Sequence, residues 1–324
     1  MPAEIDTMMY AAQDGVPWHG LGTPVEGYPT SEEAIVAAGL DWEVETGDLY
    51  AGPDKAHIRK VPNRRSIYRS TDRQMFGIAS PRFTPLQNRE AFAWVDSLVA
   101  DGVVGYAAAG ALFGGRMVWL LAQMQEDWRV ADDDYRKYFL LVNQHDGKGS
   151  VRVTVTDVRA ICANTVANAF MTDGERLRMY HTPSLPQQMA EASTLFAVST
   201  EAQRRMKTYL EKALTQRVTK AQREAVITHL LGAGSLDDDA GTRRQNAVAR
   251  FDEIHTEEIA RTGKYRYALY NAATGFADHA RSYRMSGNTP EDRAAANKER
   301  RFYNTLLGRT ARRKRELPEV IAAA

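Results

Sequence analysis

The residues best suited to chemistry in this sequence are arginines around a short predicted hairpin. Two strand-like runs, RSIYR and MFGIA, are separated by Thr71 and Asp72, which are typical turn residues. Guanidinium groups make paired hydrogen bonds to phosphate oxygens, so arginines gathered at a hairpin indicate a phosphate-bearing ligand. The arginines in this group are Arg64, Arg65, Arg69 and Arg73.

A second basic group surrounds the predicted turn HDGKG at residues 145–149. Lys148 lies in the turn, Arg152 falls on the polar face of the strand-like run SVRVTV, and Arg159 follows shortly after it. We expect these side chains to line a basic groove together with the hairpin arginines. Strand aromatics could stack on unpaired bases, although most of them are better read as core residues: Tyr106, Phe113, Trp119, Tyr138 and Phe139.

Charge is distributed unevenly along the chain, although the net charge is only +1. Residues 1–54 contain 11 Asp or Glu and no Lys or Arg, whereas residues 281–316 contain 11 basic and four acidic residues. The asymmetry favours an anionic partner or attraction between subunits. The basic tail would add sequence-independent attraction to a phosphate backbone through Arg312, Arg313 and Lys314.

Signatures of common catalytic sites are missing. HDGKGS lacks the spacing of a phosphate-binding loop, and GALFGGR lies between two strand-like runs instead of opening a helix. We therefore predict no enzyme, no catalytic residues and no cofactor. The weakest alternative is an enzymatic site assembled from distant residues, namely His145, Asp146, Asp278 and His279.

Metal and thiol chemistry are also disfavoured. The seven histidines are scattered, so we predict no metal site. The acidic run Asp132 to Asp134 is read as a solvated loop. The single cysteine, Cys162, excludes an internal disulfide and falls on an apolar helical stripe, which predicts a buried, unreactive thiol.

The elements that must position these residues predict an α+β fold. Between residues 103 and 155, short turns separate four strand-length apolar runs, which predicts an antiparallel β-meander in addition to the N-terminal hairpin. The second and third runs are apolar on both faces, and the fourth alternates. A helix starting at Thr156 or Asp157 should pack on the sheet through an apolar stripe that ends near Ala169.

The remaining patterns divide the chain into three predicted regions. Residues 1–54 form an acidic, loop-rich head with a short helix after Ser31, residues 55–183 form the α+β core, and residues 184–324 are mainly helical with the basic tail. At 324 residues with 44% apolar residues, the chain can bury a large core. No signal peptide and no membrane span are recognisable, so we expect a cytoplasmic protein of a bacterial host without a membrane partner.

Several segments resemble a phage/plasmid-like family whose domain has no known function. They are PWHGLG, GALFGGRMVWLLAQM, YFLLVNQHDGKGSVRVTVTDVRAICANT and YNAATGFADHA, and Ala163 stands where the family pattern has glutamine. The layout of a β-meander closed by a helix and followed by more helices is similar to phage single-strand annealing proteins of the RecT and Redβ type. This resemblance implies rings or filaments that hold single-stranded DNA in a basic groove.

The functional expectation is therefore an ATP-independent protein that binds and anneals single-stranded DNA as a homo-oligomer during recombination in a phage or mobile element. The alternative is a non-enzymatic interaction protein, for instance an inhibitor of host defence whose acidic head mimics nucleic acid or docks on a basic host protein.

Overall fold

The computed structural model describes residues 5–12, 22–99, 103–124, 127–159, 164–166, 177–191, 195–232, 239–280 and 309–324, with residues 289, 290, 293, 297, 300 and 304. The strands are β1 Ile5–Ala11, β2 Thr23–Val25, β3 Val44–Ala51, β4 Arg59–Arg69, β5 Met75–Ala79, β6 Val103–Leu112, β7 Met117–Met124, β8 Trp128–Val130, β9 Asp133–Gln144, β10 Val151–Arg159, β11 Asn164–Val166 and β12 Leu177–Met179. The helices are α1 Ser31–Ala37, α2 Asn88–Val99, α3 Leu185–Glu191, α4 Leu195–Ala213, α5 Lys220–Leu231, α6 Asp239–Thr262, α7 Arg266–Gly275 and α8 Arg309–Ala323.

The fold is α+β, as the sequence predicts, with a strand-rich N-terminal half and a helical C-terminal half. Among the described residues, nine strands form a large sheet in the order β11-β10-β9-β7-β6-β1-β2, with β12 on β10 and β8 on β9. A smaller sheet has the order β3-β4-β5.

The predicted meander is confirmed as β6, β7, β9 and β10, which are antiparallel neighbours. Strands β7 and β9 are buried along nearly their whole length. The turn between β6 and β7 requires left-handed backbone at Gly114, with φ of 71°, and Gly115, with φ of 82°, which glycine adopts without strain. The predicted hairpin of β4 and β5 and the short helix predicted near Ser31, which is α1, are also confirmed.

The prediction of a helix directly after the fourth strand is wrong. Strand β10 continues to Arg159, which lies opposite Tyr135 of β9, and β11 folds back on its end. Pairing with the long neighbour β9 outweighs the local helical pattern, because tertiary context overrides propensity. Three positions of the apolar stripe predicted for that helix lie outside the described residues, namely Ile161, Cys162 and Ala169.

Helix α2 is one of the helices that do pack on the large sheet. Its buried Phe92 and Val95 join one apolar cluster with Tyr106 of β6 and Leu120 of β7. The Tyr106 hydroxyl donates to the Asp96 carboxylate of α2 at 2.7 Å and lies 3.1 Å from the Phe92 carbonyl oxygen, which fixes the helix against the strand.

The acidic head contributes more regular structure than its loop-rich sequence suggests. Strand β1 lies antiparallel to β6 in the large sheet, and β3 lies antiparallel to β4 in the small one. Its acids pair with basic residues of the following segment: Glu45 with Arg73, Asp48 with Lys60, and both Glu32 and Asp41 with Arg89. Four of the eleven acids of the head are therefore paired within the chain.

A buried polar network joins the sheet to the helical half. Asp133 at the start of β9 is buried, and Arg261 of α6 donates to its two carboxylate oxygens at 2.7 Å each. The Tyr267 hydroxyl of α7 donates to the same carboxylate at 2.5 Å and lies 2.8 Å from the Tyr135 hydroxyl. The prediction that Asp133 belongs to a solvated loop is wrong, because this carboxylate anchors two helices.

Candidate functional site

The turn at residues 145–149 is held in shape by its own aspartate and by the small sheet. Asp146 Oδ1 accepts hydrogen bonds from the backbone amides of Lys148 and Gly149, at 2.9 and 2.8 Å. A Cβ atom on Gly77 of β5 would lie 2.1 Å from the Asp146 carbonyl oxygen, so only glycine permits this backbone approach. The result is a fixed turn with the Lys148 side chain exposed.

Two arginines face each other just beyond this turn. Arg152 of β10 and Arg178 of β12 are direct cross-strand partners. The Arg178 Nε atom donates to Ser150 Oγ at 3.1 Å, and its guanidinium carbon lies 6.0 Å from the ring centre of Tyr180, which is 55% exposed. Among the residues that the structure describes, neither arginine has a carboxylate partner. We call Lys148, Arg152, Arg178 and Tyr180 the arginine edge.

The electrostatics of the arginine edge favour an anionic ligand. Like charges directly opposite each other on neighbouring strands are destabilising. Phosphate groups bound to the accessible guanidinium nitrogens would offset this repulsion.

Sequence reasoning placed Lys148 in the turn and Arg152 on the polar face of the fourth strand, and it missed Arg178 and Tyr180. Arg152 and Thr154 are half-buried, and Val151 and Val153 are buried, which confirms the alternation in β10. The signal for β12 was present as the short alternating run Leu177–Met179 before Tyr180, which is too brief to identify a strand without its partner. The side chain of Arg159 is not described.

Three of the four hairpin arginines already have partners in the chain. Arg69 makes two hydrogen bonds to the Asp72 carboxylate, at 2.9 and 2.7 Å, and lies over the Trp42 ring. Arg73 pairs with Glu45 at 2.5 Å, and Arg65 donates to the Thr46 carbonyl oxygen at 3.0 Å. Arg64 is exposed and donates only to the neighbouring Asn63 carbonyl oxygen at 3.1 Å. The hairpin reaches the turn 145–149 through β5.

One of the three predicted tail contacts, that of Lys314, is corrected by the structure. Lys314 is fully buried in α8, where its Nζ atom lies 2.6 Å from the Asp278 carboxylate, so it cannot contact a phosphate in solution. Arg313 donates to the Leu230 carbonyl oxygen, and Arg312 stays exposed, 3.9 Å from Glu316. The sequence pattern failed here because one face of a basic helix is buried against Asp278.

Two adjoining depressions flank the turn and share Arg116 and Asp146. One has a volume of about 370 Å³, and the other about 360 Å³. Their remaining walls combine apolar and basic side chains: Phe113, Met117, Gln144 and Arg300 in the first, and Met75, Phe76, Ile78 and Lys148 in the second. Of the aromatic residues considered for stacking, only Phe113 lines this surface, and Tyr106, Trp119, Tyr138 and Phe139 are core residues.

A cluster of four packed rings lies beneath the turn, and we call it the histidine box. Its members are Trp42, Phe76, His145 and His181. The His145 ring is fully buried, stacks on Phe76 with ring centres 5.9 Å apart, and lies 6.5 Å from His181. Neither of its nitrogens has a hydrogen-bond partner among the described residues. Burial, aided by His181, lowers the pKa of His145 to about 3, so the ring is neutral at physiological pH.

The four residues of the alternative enzymatic site are not gathered in one place. His145 packs on Trp42 and Phe76, whereas Asp278 pairs with Lys314 in the helical half. Within the described ranges there is no group of three or more histidine, cysteine or carboxylate side chains that could hold a metal ion. In the same ranges, no helix has the length and apolar character needed to cross a membrane.

Comparison with known proteins identifies a family. The profile of the domain of unknown function DUF932 matches residues 75–301, a stretch that begins at β5 and includes the turn and the arginine edge. No curated protein and no solved structure matches the chain. Because the matched residues make up more than half of the sequence, the chain belongs to the DUF932 family.

Proposed function

We propose that this protein binds and anneals single-stranded DNA, without ATP and as a homo-oligomer, in a phage or other mobile element. The observation that carries the proposal is the cross-strand pair of Arg152 and Arg178, which has no carboxylate partner among the described residues and lies beside the exposed Tyr180. A pair of arginines, one of which lies over an exposed aromatic ring, matches the chemistry of an unpaired strand, in which phosphates alternate with accessible base faces.

We assign a separate role in DNA binding to each side chain of the arginine edge. Arg152, Arg178 and Lys148 neutralise consecutive phosphates, which provides affinity through counterion release. Tyr180 stacks on a base, and stacking tolerates any sequence because every base has a π-face. A strand held by its backbone keeps its pairing edges free for a complementary strand, so annealing needs no nucleotide hydrolysis and no catalytic residue.

The oligomeric part of the proposal rests on the similarity in layout to ring-forming annealing proteins. Attraction between an acidic head and a basic tail supports it less than the sequence suggested, because Glu45, Asp48 and Lys314 already have partners within the chain. The same pairing reduces the acidic charge that an interaction protein mimicking nucleic acid would need, so we do not advance that alternative.

The decisive experiment is anisotropy of a labelled single-stranded oligonucleotide over a salt series. The double substitution Arg152→Ala and Arg178→Ala should weaken binding at least about tenfold and reduce the salt slope by roughly 1.4, because two phosphate contacts are lost. Tyr180→Ala should weaken binding by about 1–3 kcal/mol with little change in the salt slope, and Tyr180→Phe should retain affinity.

A matched control removes two exposed cations from helices α5 and α6, by Lys220→Ala and Arg250→Ala. This variant should bind like the wild type. An equal loss in the control, or an unchanged salt slope in the edge variant, would reject the arginine edge as the contact. Failure of the wild type to bind single strands at low salt would end the proposal. Annealing of complementary strands and negative-stain images with and without DNA test its remaining parts.

A further inference from the structure

A two-stranded β-arm projects from the small sheet, formed by residues 50–64. Strand β5 pairs with β4 only from Arg65 to Tyr68, and among the described residues no third strand pairs with β3 and β4 beyond that point. Tyr50 pairs with Lys60 and Ala51 with Arg59 beyond a shift in register that begins at Asp48. Asn63, with φ of 56°, lies in this irregular segment of β4.

The tip of the β-arm is structured, although none of the residues that the structure describes covers it. Asp54 caps a short 3₁₀ turn, accepting hydrogen bonds from the amides of Ala56 and His57 at 2.9 and 3.0 Å. A Cβ atom on Gly52 would lie 2.3 Å from the His57 carbonyl oxygen, which shows how tightly the loop closes. Yet residues 50–60 are all exposed, including the apolar side chains Tyr50 and Ile58.

Charge on the β-arm is only partly neutralised. Lys60 pairs with Asp48 at 2.7 Å, and His57 lies 2.7 Å from Asp54. The other three cations, Lys55, Arg59 and Arg64, are exposed and have no carboxylate partner in the described part of the chain. The two guanidinium groups donate only to the carbonyl oxygens of Ile58 and Asn63, at 2.9 and 3.1 Å, so most of their donors are available to a ligand.

We propose that the β-arm is a second nucleic-acid contact that lies in the major groove of double-stranded DNA. The major groove is about 12 Å wide and admits a two-stranded β-ribbon. Lys55, Arg59 and Arg64 would contact phosphates along the groove walls, and Tyr50 and Ile58 would cover apolar groups of the bases, such as thymine methyls.

This inference deepens the proposed function, on which it rests, by assigning the duplex product of annealing to a surface separate from the arginine edge. The edge would hold the incoming single strand, and the β-arm would hold the paired product. Separate surfaces allow the two activities to be removed independently, which gives the inference its test.

The test compares labelled duplex and single-stranded oligonucleotides in anisotropy titrations over a salt series. The triple substitution Lys55→Ala, Arg59→Ala and Arg64→Ala should weaken duplex binding at least tenfold, reduce its salt slope by roughly 2.7, and leave single-strand affinity within about twofold. The matched control, Lys212→Ala, Lys220→Ala and Arg250→Ala, removes three exposed cations elsewhere and should bind both DNAs like the wild type.

Four outcomes would overturn the inference: unchanged duplex affinity, an equal loss for both DNAs, an equal loss in the control, or a change only in oligomeric state, which would indicate a protein contact. Loss of duplex binding in the arm variant when the wild type binds no single strands would support the β-arm and reject the proposed function.

The β-arm lies outside the apolar core, so thermal unfolding of the arm variant should match that of the wild type. If the triple variant misfolds, the single substitution Arg59→Ala replaces it in the titrations. We expect this change to weaken duplex binding about threefold or more.

Discussion

Lys314 Nζ lies 2.6 Å from Asp278 Oδ1, and both side chains are closed off from solvent. Asp278 belongs to a π-helical turn, Phe276–Ala280, that follows α7, and Lys314 approaches it from α8. Burial lowers the pKa of Lys314, and the adjacent carboxylate opposes that effect, so the charged pair depends on both partners. The most basic stretch of the chain therefore has a structural component.

Removing one partner of this ion pair should be costly. We expect Lys314→Ala to reduce the free energy of unfolding by about 3–5 kcal/mol, because it leaves Asp278 buried and uncompensated. Replacing both residues with apolar ones, Lys314→Met with Asp278→Leu, should recover most of the loss. Urea unfolding measures both effects, with Lys220→Ala as a surface control. A loss below 1 kcal/mol for Lys314→Ala would contradict this account.

The histidine box should make stability depend on pH. The pKa of His145 is about 3 in the folded protein against an ordinary value of 6.5. Below pH 6.5 the unfolded chain takes up a proton that the folded ring excludes, so the free energy of unfolding falls as the pH decreases toward 3. One such group contributes roughly 1.4 kcal/mol per pH unit.

His145→Phe keeps an aromatic ring in the box and removes its titration. Urea unfolding between pH 4 and pH 7 should therefore show a shallower pH dependence in the variant than in the wild type. His181, whose pKa burial also lowers, remains in both proteins, so some dependence should persist. Superimposable pH profiles would show that His145 is not held neutral by burial.

The contact between β5 and the turn should tolerate no side chain at Gly77. Gly77→Ala would place a Cβ atom against the Asp146 carbonyl oxygen and should cost at least about 1–3 kcal/mol through overpacking. Gly47→Ala is the matched control in the same sheet, because its nearest neighbour is the end of the Tyr68 side chain at 3.2 Å. Thermal unfolding of the two variants should rank Gly77→Ala as the less stable.

The network around Asp133 should couple the sheet to the helical half. Arg261→Ala leaves a buried carboxylate without its bidentate partner, and we expect a loss of about 3–5 kcal/mol. Tyr267→Phe removes one hydrogen bond to the same group and should cost about 1–3 kcal/mol. Hydrogen exchange of α6 and α7 should increase more in Arg261→Ala than in Tyr267→Phe, and the reverse order would exclude this coupling.

Local patterns in the sequence were sufficient wherever pairing partners are close along the chain. The turns at Gly114 and at residues 145–149 connect neighbouring strands, so the meander was predictable from turn residues and apolar runs. Strand β1 was missed because its partner β6 lies about 100 residues away. The helix after β10 was wrongly predicted because helical spacing of apolar residues does not reveal that β9 is long enough to pair as far as Arg159.

The candidate site was predictable only in part for the same physical reason. Lys148 and Arg152 belong to the meander and were found from it, whereas Arg178 reaches them through the three-residue strand β12. Lys314 shows the converse limit, since a basic run does not reveal which of its members faces a buried carboxylate. Residue type is the basis for proposing an anionic ligand, and only the three-dimensional pairing shows that Arg178 lies beside Arg152.

The position of β1 has a consequence for synthesis of the protein. Met8 pairs with Gly110, so the first strand has no antiparallel neighbour until more than 100 residues have left the ribosome. At about 5–20 residues per second, that interval is on the order of 5–20 seconds. During it the apolar side chains Met8 and Met9 lack their native cover, and closure of the large sheet waits for β6. We therefore expect this strand to be a binding site for chaperones during translation.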